Sequence, residues 1–379
     1  PPRSTQGVSS AASDVYKRQF YILLDGSSLV TVKTDAPQPD SLTLKHPRVT
    51  LVPKQIPSPN RILTMTTMAG AITQELVYQV AYEANKRAAI TVPQDCLTAF
   101  GEAFQRETKP LAHFILGQIL ENSKLAVADS RPMCGDTGLP RYYVKVGNEA
   151  RIGGGFVAME RSLRQAVSDI TQDIKLRANR VHPLTRKNPG NNVGVFSPNV
   201  DYSFEPDGDW VDIIAVHKGG LFGTDYRMLF PADGVDGIKR FLLDNMAEFA
   251  RRGLSCPPVV IGVGLGGTKD QSMTLSKEAS CLRLIGDRHP DPDVAALEVE
   301  LRDLANQTGF GVMGVGGDTT ALDVHIEIAY THTGGVPVAI SQFCTAYRRA
   351  VGRIYGDGRV EFREDPQWFT DYYRREGIA

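Results

Sequence analysis

The chain has 379 residues, 42% of them hydrophobic, with 42 Lys+Arg against 43 Asp+Glu and a formal net charge of −1. Its near-zero, interspersed charge lacks the basic stripe of a nucleic-acid binder, and no apolar run approaches the ~20 residues of a membrane-spanning helix. Five cysteines, Cys96, Cys134, Cys256, Cys281 and Cys344, are too sparse and odd in number for a secreted disulfide framework, so a soluble, cytoplasmic protein is the expectation.

Residues 1–67 are rich in Ser, Thr and Pro and show no sustained period, so they read as a disordered or non-native leader, with a natural start at Met65 or Met68. From 68 to 355 helical and strand periods interleave, which predicts an α/β domain with a mixed β-sheet. Thr73 opens a first helix carrying Leu76, Val77, Val80 and Ala81. Pro93 opens a second with Leu97, Phe100 and Phe104, and a third runs from Pro110 to Ala126. Strands are predicted at 142–146, 211–217, 258–264, 323–329 and 336–341, separated by helices near 156–170, 235–251, 269–281 and 293–306. Residues 356–379 form a C-terminal tail whose aromatics, Trp368, Phe369, Tyr372 and Tyr373, fit either docking on a partner or a helix anchored on their own domain.

Three cysteines fall at strand boundaries, where loops carry sites. Cys134 lies in Arg131-Pro132-Met133-Cys134-Gly135-Asp136-Thr137-Gly138, Cys256 in Ser255-Cys256-Pro257-Pro258, and Cys344 just beyond Ala339-Ile340-Ser341. Cys96 and Cys281 sit inside helical patterns and read as core. The three are too far apart in the chain for a local ribbon or finger, so any metal site they share is assembled by the fold. Cysteine-only ligation points to an iron–sulfur cluster with an open corner, with a three-cysteine zinc site as the alternative. Asp136 reads as a general acid/base or as a turn cap. His332, in the polar loop Tyr330-Thr331-His332-Thr333, suits a substrate contact, whereas His325 lies within a strand and reads as structural. A rival signal is Gly262-Val263-Gly264-Leu265-Gly266-Gly267 after a predicted strand, with Asp287 further on, which matches a dinucleotide-binding fingerprint and would make the chain a nicotinamide-dependent oxidoreductase.

Taken in order, RPMCGDTG, the Lys218-Gly219-Gly220 loop, Cys256-Pro257-Pro258 running into GVGLGGT, IGDRHPDP, the glycine run leading into DVHIE, and the block from His332 through Pro337 and Cys344 to Arg348 resemble the α component of class I fumarate hydratase and L(+)-tartrate dehydratase, the iron–sulfur hydro-lyases. The resemblance spans about 70–355. It implies a [4Fe-4S] cluster held by Cys134, Cys256 and Cys344 with its fourth iron open to substrate. Asp136, the acid/base, and His332 would be catalytic, and the substrate would be bound by Gly135, Asp136, the carboxylate-binding Arg177, the backbone loop at Gly219 and His332. It further implies reversible hydration of a small dicarboxylate, fumarate to malate first, with tartrate or a related hydroxy-diacid as the alternative. A separate β subunit would supply the remaining catalytic groups in an α2β2 assembly. Two departures stand out: Gly135 replaces the usual glutamine, removing a carboxylate donor, and the loop reads Gly219-Gly220-Leu221-Phe222. The first leaves an inactive scaffold as a further alternative.

Overall fold

The computed structural model describes residues 21–24, 28–31, 71–219 and 224–378, in two units, Pro1–Thr64 and Met65–Ala379. In the first, β1 (Tyr21–Leu24) and β2 (Ser28–Thr31) pair antiparallel, Tyr21 opposite Thr31. The rest of the expected leader lies outside the described residues.

The second unit contains α1 (Gln74–Ile90), α2 (Gln94–Arg106), α3 (Pro110–Ala128), β3 (Leu139–Gly147), α4 (Gly155–Asp173), β4 (Asn199–Glu205), β5 (Trp210–Lys218), β6 (Thr224–Leu229), α5 (Gly234–Arg252), β7 (Val259–Gly266), α6 (Lys269–Leu282), α7 (Pro292–Gln307), β8 (Ala321–Ala329), β9 (Val336–Phe343), β10 (Arg349–Tyr355), β11 (Val360–Arg363) and α8 (Trp368–Glu376). Local chemistry sets several boundaries. The Thr73 hydroxyl accepts the Leu76 N–H at 3.2 Å to open α1, and the Asp291 carboxylate accepts the Asp293 N–H at 2.9 Å ahead of Pro292 in α7.

Two mixed sheets form where the sequence suggested one. The first has the order β11-β10-β5-β3-β4 and the second β6-β9-β7-β8; only β3 with β4 and β7 with β8 run parallel. One face of the first sheet packs Tyr142, Val144, Val211 and Ile213 against Val77, Val80 and Ala84 of α1 and Met159 and Leu163 of α4. Its other face, through Tyr143, Ile214, Val216 and Val351, meets a central core shared with Cys281 and Leu282 of α6 and Phe343 of β9. The outer face of the second sheet is covered by Phe241 and Leu242 of α5 and Leu301 of α7. Burying such faces on both sides is what gives each sheet its stability.

The tail belongs to this fold. β11 pairs with β10, Val351 opposite Arg363, so the boundary placed at 355 cuts a hairpin. Trp368, Phe369 and Tyr373 of α8 enter the central core, with Trp368 edge-on to Tyr143 at 5.4 Å. The buried Lys145 ammonium fixes the helix, donating to the Gln367 carbonyl at 2.9 Å and to the Asp371 carboxylate. Of the two expectations for the aromatics, docking on their own domain is the one realised.

Candidate active site

The two sheets are joined at one end, and the predicted thiols lie there. Cys134 and Asp136 precede β3, Lys218 and Gly219 end β5, Cys256 precedes β7, and Cys344 stands in the short link from β9 to β10. Strand register brings these ends together: Leu139 is opposite Lys218, Val216 opposite Arg349, and Val260 opposite Phe343. Cys256 is pinned to Cys344's neighbour, its carbonyl accepting the Thr345 N–H at 2.8 Å. Cys256 is exposed, Cys134 half-buried and Cys344 buried. Burial pushes the Cys256 thiol up, and the neighbouring Cys344, Cys134 and Asp136 add to it, so all three thiols and the carboxylate lie within electrostatic reach of one another.

Gly219 closes this arrangement. A Cβ there would stand 2.8 Å from Nη2 of Arg348 and 3.1 Å from Sγ of Cys344, so the backbone lies close against the thiol. The buried Arg348 guanidinium donates to the Asp136 carbonyl at 2.8 Å, tying the Cys134 loop to the Cys344 link. Asp136 Oδ1 accepts from Asn179 Nδ2 at 2.8 Å and from the Gly138 N–H at 3.1 Å. The carboxylate therefore caps its own turn and still has Oδ2, so the two readings of Asp136 are compatible. Arg177 has its carbonyl held by Thr137 Oγ1 and Asn192 Nδ2, each at 3.1 Å, and its side chain is exposed. It thus stands beside Asp136. Gly135 is exposed, and a Cβ added to it would meet nothing within 4 Å; sterics do not demand glycine there, and a longer side chain fits. Gly220, Leu221 and Phe222 lie outside the described residues.

His332 is elsewhere. It is exposed in the loop between β8 and β9, its Nδ1 accepting the Gly334 N–H at 3.0 Å. The whole of β9 separates it from Cys344, roughly 25 Å at about 3.3 Å per residue. The fold brings Cys134, Gly135, Asp136, Arg177, Gly219, Cys256 and Cys344 to one end and His332 to the other. Sequence reasoning assigns no role to Lys218, Asn179, Asn192 and Arg348; their signal is proximity in sequence to Gly219, Arg177 and Cys344.

The dinucleotide reading fails on geometry. Gly262 and Gly264 lie within β7, where a Cβ would come within 2.0 Å of the Ser276 and Ser272 carbonyls of α6. These glycines allow helix and strand to pack closely and offer no phosphate cradle at a strand-to-helix turn. His325 is buried, with Nε2 3.3 Å from Asp323, as a structural histidine would be.

Among the described residues no three His, Cys, Asp or Glu side chains are close enough to hold a single metal ion. A cluster binds each cysteine at a separate iron, so its ligands stand further apart than those of one ion. The three thiols, the close approach of the Gly219 backbone to Cys344, and a Thr345 hydroxyl buried without a partner among the described residues fit such a group.

A family model for fumarate hydratase (Fumerase) matches residues 78–353. The "Putative L(+)-tartrate dehydratase subunit alpha" of Methanocaldococcus jannaschii is 40% identical over 289 residues, 75% of this chain and 99% of that protein. The L(+)-tartrate dehydratase subunits alpha of Escherichia coli strains UTI89 and K12 are 34% and 33% identical over 269 residues, 70% of this chain and 86% of theirs. The chain belongs to the fumarate hydratase family. Among the described residues no helix is long and apolar enough to cross a membrane.

Proposed function

We propose that the chain is the α-type subunit of a cytoplasmic hydro-lyase that adds water to, or removes it from, a small dicarboxylate: fumarate to malate, or L(+)-tartrate as its relatives' names equally support. The observation that supports this reading is that Cys134, Cys256 and Cys344, from three separate strand ends, lie within electrostatic reach of one another, with the Cys344 thiol against the backbone of Gly219. These cysteines would hold a [4Fe-4S] cluster, which when bound supplies a Lewis acid for a substrate oxygen.

The chain's own residues do the rest. Asp136, oriented through Oδ1 by Asn179 and the Gly138 N–H, has its second oxygen to take a proton from, or return one to, the substrate carbon. Arg177 offers a fork for a carboxylate. Gly219 lets the substrate and the thiols approach the main chain closely. Arg348 holds the Asp136 and Cys344 loops in one geometry, the positioning that proton transfer requires. His332 lies too far from its own thiols to touch a substrate bound there, so its contact comes from a second copy of the chain. That requirement agrees with an α2β2 assembly in which a β subunit completes the site; the relatives are themselves named alpha subunits.

The test is anaerobic purification with a β-type partner, followed by measurement of iron, sulfide, fumarate hydration and L-tartrate dehydration. Cys344→Ser is expected to lose the iron and all turnover, whereas Cys281→Ser, altering a buried core thiol, keeps both. Equal iron in the two variants would show that the ligands are misassigned.

A further inference from the structure

Gln342 breaks a pattern. On β9 the side chains of Val338 and Ile340 lie in the apolar layer between the second sheet and α5, and Gln342 is next on that face. On α5, Asn245 likewise interrupts a buried stripe made by Phe241, Leu242, Met246 and Phe249. Both amides are buried, and they meet: Gln342 Nε2 donates to Asn245 Oδ1 at 2.9 Å. A buried amide pair is costlier to place than the apolar residues that the surrounding pattern favours, and Asn245 Nδ2 has no partner among the described residues. Packing alone therefore does not account for the pair.

The other end of the Gln342 amide supplies the reason. Its Oε1 accepts the Ser255 hydroxyl at 2.6 Å, and Ser255 directly precedes Cys256. One residue along, the Cys256 carbonyl accepts the Thr345 N–H at 2.8 Å. These two hydrogen bonds hold the link into β7 against the link out of β9. One alone would leave a pivot, whereas two fix rotation as well as distance. The Gln342 carbonyl also accepts from Lys218 at the end of β5, so three of the strand ends that border the thiols converge on this residue.

We propose that Gln342 is a positioning residue for the thiol centre: with Asn245 and Ser255 it sets the orientation of Cys256 toward Cys344, and through it the firmness with which the three thiols hold their group. The inference rests on the reading that Cys134, Cys256 and Cys344 are ligands of an iron–sulfur cluster. Groups that orient metal ligands from behind are worth about 10- to 100-fold in retention of the metal. Cys256, exposed and in an irregular link between α5 and β7, is the thiol of the three that most needs such support.

The test combines Asn245→Leu with Gln342→Met, which replaces both buried amides by apolar groups of similar size and so leaves neither amide without its partner. In the metal-free full chain, hydrogen exchange of the Thr345 amide reads the bond to Cys256 directly. It is expected to quicken about tenfold in the double variant and in Ser255→Ala, with the Val324 and Ile326 amides of β8 unchanged and the unfolding midpoint of the double variant no lower. Ser255→Thr, which keeps the hydroxyl, exchanges like the parent. After anaerobic loading with iron and sulfide, iron release to a chelator is expected to quicken about tenfold in the same variants. Unchanged exchange at Thr345, exchange that quickens equally throughout the chain, or unchanged iron release from a loosened link each overturns the proposal. A parent chain that takes up no iron overturns the cluster reading instead, and exchange at Thr345 still decides whether Gln342 sets the Cys256 link.

Discussion

Two clusters of buried charge flank α6, and they are built on opposite principles. Beyond its C-terminal end, Arg283 meets Glu298 at 2.5 Å and Glu327 at 3.4 Å, while Asp323 meets Arg288 at 3.0 Å and His325 at 3.3 Å. Glu298 also accepts the Ile326 and His289 N–H groups, at 2.8 and 3.0 Å, and the Tyr373 hydroxyl donates to Glu327. Arg283 and Arg288 are set against Glu298 and Asp323, burial raises Glu327 to about 8, and the network fastens β8, α7 and α8 together. On the other side, Lys277 joins Arg141, Arg180 and Lys218 with only Asp201 to oppose them. A balanced buried cluster holds a fold; an unbalanced one is a cost to it.

Substitutions sharpen this contrast. Glu298→Ala removes the nearer carboxylate of the buried Arg283 and leaves two backbone donors without their acceptor, and should cost about 3 kcal/mol, read as a fall in the urea midpoint; a loss below about 1 kcal/mol would remove the network from the scaffold. Glu278 lies between the two clusters on α6. Burial raises it to about 7, a Trp368 hydrogen bond lowers it, and Asp201 and Arg141 act in opposite directions. Since its folded value exceeds the unfolded one, the native state keeps this proton longer, and stability falls as pH rises from about 4.5 to about 7. Glu278→Gln should flatten that slope and stabilise the protein at pH 7.5 by about 1–3 kcal/mol, checked by unfolding across the pH range; an unaltered slope assigns it to another group. Lys277→Gln should change stability by no more than about 0.5 kcal/mol or increase it. A clear loss would mean that these cations are structural after all.

The same balance of effects explains what can be read from the sequence. The helices and central strands are legible because their apolar periods are strong: β5 is buried from Val211 to His217, and α1 shows the expected stripe. β4 and β6 escape a sequence reading because they are half-exposed edge strands, and Thr224-Asp225-Tyr226-Arg227 carries too little apolar signal to stand out. β11 and α8 escape it because the tail is polar overall and anchored by a few aromatics and Lys145, a contact that depends on β3, 222 residues before Gln367. At the site, thiols flanked by Gly, Pro and Asp are visible as residue types. The cationic cluster is not, since Arg141, Arg180, Lys218 and Lys277 come from separate elements and each alone resembles an ordinary surface charge. The place of His332 is hidden because its nearness to Cys344 in sequence conceals an intervening full-length strand.

The position of α8 also sets a timetable. Tyr143 is made early, yet its aromatic partner Trp368 and the neighbouring Phe369 and Tyr373 are among the last described residues to leave the ribosome. The layer of α1 and α4 on the first sheet draws mostly on residues before 217 and can begin to consolidate during synthesis. The central core has to wait, so during that interval the nascent chain carries an uncovered apolar face on β3 and β5, the stretch where a holding chaperone has most to protect.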